Sequence, residues 1–233
     1  MPRRVPPPPF LEDLTADELR LYRRLRTPAA IQDYLDRLPT NFEPDGQTCR
    51  SPRGVIRTGV AHCLEAALLA AAAAWFHGRP PLLLDLKARR DDFDHVVALF
   101  RERGRWGAIS KTNHAVLRWR DPVYASVREL AMSYFHEYFK DNGRKTLVSH
   151  SGPFDLSRRD PGWVTSDKNL WTLQYALDRA RHDPIAPSRA LRRLRPAAAL
   201  ERRAGLLVDW RKPKTASRGG RRHAAKGDLR KLR

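Results

Sequence analysis

The stretch RTGVAHCLEAALLAAAAAWFHG, residues 57–78, decides how the chain is read. From about His62 to His77 it is apolar nearly all round, broken by Glu65. It stops at Gly78, a residue suited to the left-handed conformation that closes a helix. A helix apolar on every side belongs at the centre of a fold, and its many alanines let neighbouring backbones approach closely. Cys63 stands at its front, and two explanations of that thiol are open. Free cysteine packs as a small buried hydrophobe, and a lone one on an apolar helix is more often core than catalyst. At a helix start, however, unpaired N–H groups and the helix dipole favour an anion, which lowers the thiol pKa and sharpens the nucleophile.

Working outward, Pro80 and Pro81 prevent the helix from continuing, and PLLLDL reads as a buried strand. ARRDDFD is a polar turn, after which HVVALF and WGAIS bracket RERGR as a β-hairpin. Upstream, Thr15-Ala-Asp-Glu18 forms a capping-box pattern for a helix through about Arg26. Pro28 opens a second helix with Ile31, Tyr34, Leu35 and Leu38 on one face, and residues 40–56 read as a loop. From about Pro122 the pattern VYASVRELAMSYFHEYF predicts one long helix with Val123, Val127, Leu130, Ala131, Tyr134 and Phe135 along its apolar stripe, ending at Asp141-Asn-Gly143. NLWTLQYALDRAR predicts another helix. The expected organisation is a proline-rich lead-in over 1–10, one domain over 11–185 and a basic, flexible tail over 186–233.

The composition sets the setting. Two cysteines, Cys49 and Cys63, argue against a disulfide-stapled fold, and the start MPRRVPPPPFLEDL lacks the apolar core of a signal peptide. The longest apolar run, Ala66 to Phe76, is about half of what a membrane-spanning helix needs. A cytoplasmic protein without membrane contact is the expectation. Of the formal charge of +19, +13 falls in residues 186–233. Residues 211–233 mix Lys and Arg with Gly, Ser and Ala, and contain no aromatic side chain. Such a segment either stays solvated or contacts nucleic acid or another polyanion through phosphates, without sequence readout.

A second residue bears on the thiol. His95 opens HVVALF, where only apolar side chains are needed, and an imidazole within reach of a thiol can take its proton and return one to a leaving amine. A metal site of Cys49, His62, Cys63 and His95 has no CxxC or HxxxH spacing to support it. No glycine-rich phosphate loop or dinucleotide fingerprint is present, so neither metal nor cofactor is expected. The backbone N–H of Cys63 is the natural oxyanion donor, with Gln47 the only upstream amide in a suitable loop.

In their order, RTGVAHCLEAALLAAA, GRPPLLLDL and DHVVALFRERGRWGAISKTN make segment 54–113 resemble the core of the transglutaminase-like superfamily, a branch of the papain-type cysteine enzymes. The flank RDPVYASVRELAMSYFHEYF suggests a bacterial subgroup. The resemblance covers about a quarter of the chain. It implies an α+β fold, a central helix on a small antiparallel sheet with helical flanks. It also implies Cys63 as nucleophile and His95 as general base and acid.

The family places an Asp on the next strand to orient the histidine, and spacing from Trp106 puts Ser110 there instead. If Arg103-Gly104 form a two-residue turn, position 95 faces Thr112, and Ser110 lies on the same side of the sheet. Asp92 and Asp94 point to the other face, and Asn113 would need a bulge to reach the histidine. The leading expectation is a cysteine hydrolase or acyltransferase acting on an amide or peptide bond, with Cys63, His95 and Ser110 as its site. The alternative is a catalytically silent binding module whose basic tail supplies the partner contacts.

Overall fold

Capping residues decide where the first helices begin. The computed structural model describes residues 7–210; the first six residues and the basic run 211–233 lie outside it. In α1 (Ala16–Arg24) the Thr15 hydroxyl accepts from the Glu18 N–H, while the Glu18 carboxylate accepts from the Thr15 N–H. Thr27 caps α2 (Pro28–Arg37), with Pro28 in its first turn. The segment expected as a loop over 40–56 runs instead into a short helix, α3 (Pro52–Thr58). Ser51 accepts from the Gly54 N–H at 3.1 Å, and Gly59 closes the helix at φ 68°. Seven residues hold too little apolar periodicity to announce a helix, so only its Ser-Pro start and Gly stop signal it.

Every residue of α4 (Cys63–Phe76) from Leu64 to Ala74 is buried, and Gly78 follows at φ 74°. The sheet beneath it contains β1 (Leu82–Ala88), β2 (His95–Glu102), β3 (Arg105–Ile109), β4 (Arg120–Tyr124), β5 (Leu147–Ser151), β6 (Phe154–Asp155) and β7 (His182–Pro184). All its pairings are antiparallel, in the order β4-β3-β2-β1-β5-β7, with β6 also on the β5 side of β1. Arg103 and Gly104 turn the hairpin at φ 48° and 78°, both positive as a tight two-residue turn requires. Ala98 pairs with Ile109 and Glu102 with Arg105, the register that the two-residue turn predicts, and the ladder ends at the Ala98–Ile109 pair, short of Thr112 and His95.

Helices cover both faces of the central strands, which explains their near-continuous apolar runs. Leu83, Val96, Ala98 and Phe100 belong to the core that includes α4 and residues such as Leu21, Ile31 and Val55 from the first three helices. Leu84, Leu86, Val97 and Leu99 pack in a second core with Leu130 and Ala131 of α5 (Val127–Ser133) and with Tyr134, Phe135 and Tyr138. The architecture is therefore α+β, with an open antiparallel sheet between helical layers.

The single long helix expected from Pro122 is divided. Residues 120–124 form β4 on the free edge of β3, pairing Tyr124 with Trp106 and Arg120 with Ala108 across an irregularity. Ser126 then caps α5 by accepting from Glu129 N–H, and Phe135–Glu137 is a separate 3-10 turn. Val123, expected in the apolar stripe, is exposed. Gly107 lies where a Cβ would fall 2.4 Å from Cζ of Phe100 and 2.8 Å from the Arg120 carbonyl oxygen. The close approach of β4 demands the glycine.

Phe10, placed in the lead-in, is fully buried and meets Trp75 edge-on at 5.4 Å. The tail expected from residue 186 first forms α7 (Ser188–Leu191) and α8 (Ala199–Gly205), numbered after α6 (Trp171–Asp178). Leu207 then accepts from Ala115 N–H, and Asp209 N–H donates to Asn113. No helix among the described residues is long and apolar enough to cross a membrane.

Candidate active site

The first turn of α4 begins its backbone ladder with Ala66 N–H to the His62 carbonyl at 3.0 Å. The N–H groups of Cys63 and Leu64 come earlier and have no acceptor one turn back. Cys63 is only partly buried there. Hydrogen bonding and charge from two imidazoles, those of His62 and His95, act on its thiol. Burial alone would push the thiol up, but those hydrogen bonds and the two histidine charges outweigh it and bring Cys63 down to about 5. Cys49 is the contrast. It is fully buried, and burial, reinforced by nearby carboxylates, pushes its thiol up to about 12.

His95 and Ser110 meet as the hairpin register predicts. His95 Nε2 lies 2.8 Å from Ser110 Oγ, and both side chains are buried. Ser110 Oγ also donates to the Leu117 carbonyl at 2.5 Å. A hydroxyl has one hydrogen and a carbonyl oxygen only accepts, so Ser110 must accept from His95. Neutral His95 therefore carries its proton on Nε2, and Nδ1 is the nitrogen left for Cys63. A neutral hydroxyl thus fixes the tautomer that a carboxylate would otherwise fix.

The carboxylates near His95 in sequence point elsewhere. Asp94 pairs with Lys87 at 2.7 Å and accepts from Ala88 N–H, while Asp92 accepts from the Thr146 hydroxyl at 2.6 Å. Gln47 is exposed, and Asn113 engages Asp209 through its backbone carbonyl. Cys49, His62, Cys63 and His95 do not form a common metal-binding group among the described residues. Asp85, Asp94 and Asp178 do converge, but the Lys87 ammonium sits among them at 3.7, 2.7 and 3.3 Å. Two open clefts along α1, lined by Leu21, Arg24 and Tyr34 among others, share no residue with the thiol site.

Sequence reasoning missed His62 as a partner of the thiol. Its Nε2 lies 3.0 Å from the Thr48 carbonyl, 3.5 Å from Glu65 Oε1 and 3.7 Å from Glu43 Oε1. Burial by itself would lower His62, but the Cys63 thiolate, Glu65 and the Thr48 carbonyl together raise it to about 9. The available signal was positional: histidine occupies a helix cap where Ser, Thr, Asp or Asn is usual. No family model and no curated protein matches the chain.

Proposed function

We propose that the chain is a cysteine-dependent acyl-transfer enzyme with a core of the transglutaminase/papain type, acting on an amide or peptide bond. The observation that carries this reading is the Cys63 thiol, which lies at a helix start and which the His62 and His95 imidazoles bring far below the ordinary thiol range. The element order supports the family reading: the thiol helix α4, then β1, then His95 opening β2, then Ser110 just past β3.

In this mechanism the thiol proton passes to Nδ1 of His95. The Cys63 sulfur attacks the substrate carbonyl, a C–S bond forms, and the carbonyl π pair moves onto oxygen. The backbone N–H of Cys63 is the natural donor to that oxyanion. As the tetrahedral species collapses, the C–N bond breaks and His95 Nδ1–H protonates the leaving amine. Water or a second amine then attacks the thioester and gives its proton to His95; the C–S bond breaks, the acid or the new amide is released, and Cys63 leaves as the thiolate.

Intact-mass analysis after exposure to a library of peptide amides and anilides tests the proposal. An acyl adduct on Cys63, absent in Cys63→Ala and strongly slowed in forming when His95 is replaced, is the expected result. A reactive Cys63 that is never acylated would leave the second reading, a silent binding module. The uncharged Ser110 beside His95, in place of the family's Asp, is what favours that alternative.

A further inference from the structure

The missing carboxylate is present, but beside the other histidine. Glu65 is fully buried one turn into α4 and is enclosed by donors. Thr48 Oγ1 donates to it at 2.7 Å, Arg50 N–H at 3.0 Å, Asn41 Nδ2 at 3.0 Å and His62 N–H at 3.2 Å. The Arg50 guanidinium lies 3.8 Å away. The same carboxylate approaches Nε2 of His62 from one side, and Glu43 approaches from another. Because the Thr48 carbonyl can only accept, Nε2 of His62 carries a proton, which leaves Nδ1 for Cys63.

We infer that the two imidazoles divide the work: His62, positioned by Glu65 and Thr48, is the standing cation that holds Cys63 as thiolate, and His95 is the mobile proton carrier. The inference rests on the acyl-transfer reading for the role of His95, but its charge relationship is independent of any substrate. His62 keeps both ring protons throughout the cycle. At rest the proton given up by Cys63 resides on His95 Nδ1; it passes to the departing amine, and the water or second amine that attacks the thioester returns one to His95, so protons balance over the cycle. The arrangement explains how a site can work with only a hydroxyl on the shuttling histidine. An anion beside the shuttle would stabilise a charge that comes and goes, whereas Glu65 stabilises one that persists. Tyr138 donates its hydroxyl to the Phe93 carbonyl, Asp92 accepts from Thr146 and Asp94 pairs with Lys87, so none of the three hydrogen-bonds His62.

The test follows thiolate absorbance and iodoacetamide alkylation of Cys63 against pH in the full chain, comparing wild type with His62→Gln, Glu65→Gln and His95→Gln. Cys49 serves as the fold control, since it stays unreactive while the core is intact. In folded His62→Gln the Cys63 midpoint rises by about two pH units, lowering alkylation at pH 6 about tenfold, and His95→Gln moves it less. Folded Glu65→Gln follows His62→Gln; if its Cys49 becomes reactive, His62→Gln alone decides. An unchanged midpoint in His62→Gln, or one that moves only in His95→Gln, overturns the inference. Acyl-adduct formation on peptide amides is read separately. A His62-dependent midpoint without any adduct keeps the charge relationship and removes the acyl-transfer reading.

Discussion

Gln32 of α2 grips both backbone groups of Ser110. The Ser110 N–H donates to Gln32 Oε1 at 2.9 Å, and Gln32 Nε2 donates to the Ser110 carbonyl at 2.8 Å. Ser110 has left β3, whose ladder ends at Ile109, so this buried amide takes over where the sheet stops. Its second contact, to Asp36 at 2.9 Å, fixes the amide's own orientation. The chain thus holds the acceptor for His95 with a side chain 78 positions away in sequence.

Replacing Gln32 with Leu leaves the Ser110 N–H and carbonyl buried without partners. The expected loss of stability is about 1–3 kcal/mol, read from urea unfolding midpoints. Because Ser110 then drifts, the Nε2–H resonance of His95 should broaden or vanish in the folded variant. An unchanged resonance would show that Ser110 is held by Leu117 alone.

Ser110→Ala removes the acceptor for His95 Nε2–H and the donor to Leu117. Acyl transfer should fall about tenfold to a hundredfold, the value of one hydrogen bond to a charged imidazole. That is well short of the about 10⁴-fold loss when a triad aspartate becomes asparagine, because here no charge is removed. Ser110→Asp is not a simple repair. Its carboxylate would face the Leu117 carbonyl that now accepts from the hydroxyl, and it should destabilise the chain unless the 111–117 loop moves. Steady-state kinetics with parallel melting curves separates the two effects.

The thiolate and the His62 cation coexist over a defined pH window. Cys63, depressed to about 5, contributes stability that is present above its ordinary value and lost as pH falls through 5. His62, raised to about 9, contributes stability that is present below its ordinary value and lost as pH rises through 9. Unfolding midpoints should therefore be highest in the middle of the interval and fall as pH approaches about 5 on the acid side and about 9 on the alkaline side, and Cys63→Ser should flatten the acid limb. An acid limb identical in wild type and Cys63→Ser would contradict the pairing.

Gly107→Ala places a methyl carbon against the Phe100 ring and the Arg120 backbone. The ring can shift, but the carbonyl on β4 cannot without breaking the β3–β4 pairing. A loss of about 1–3 kcal/mol is expected by urea unfolding, as for other overpacked sites.

The central helix, the hairpin and its register were legible because each follows from local chemistry. Glycine ends α4, a two-residue turn fixes the parity of β2 against β3, and parity puts Ser110 on the His95 side. What escaped depended on contacts between distant segments. β4 forms because β3 has a free edge to pair, a fact invisible in the helix-like pattern of residues 122–138. The partnership of His62 with Thr48, Glu43 and Glu65 requires the loop before α3 to fold back over the start of α4, and no spacing in the sequence announces it. Gln32 looks like a solvent-facing residue of α2 until Ser110 meets it. Ser110 follows from the family resemblance through its spacing from Trp106, with parity in agreement, whereas its tautomer-fixing role needed the Leu117 carbonyl.

The most direct test of the central claim is the pH dependence of Cys63 alkylation, read by mass spectrometry with Cys49 in the same molecule as reference. The account predicts a Cys63 midpoint near 5, a Cys49 that stays unreactive across the range, and a Cys63 midpoint that rises in His95→Ala. A Cys63 that titrates near the ordinary thiol value of about 8.5, or resists alkylation as Cys49 does, would contradict it.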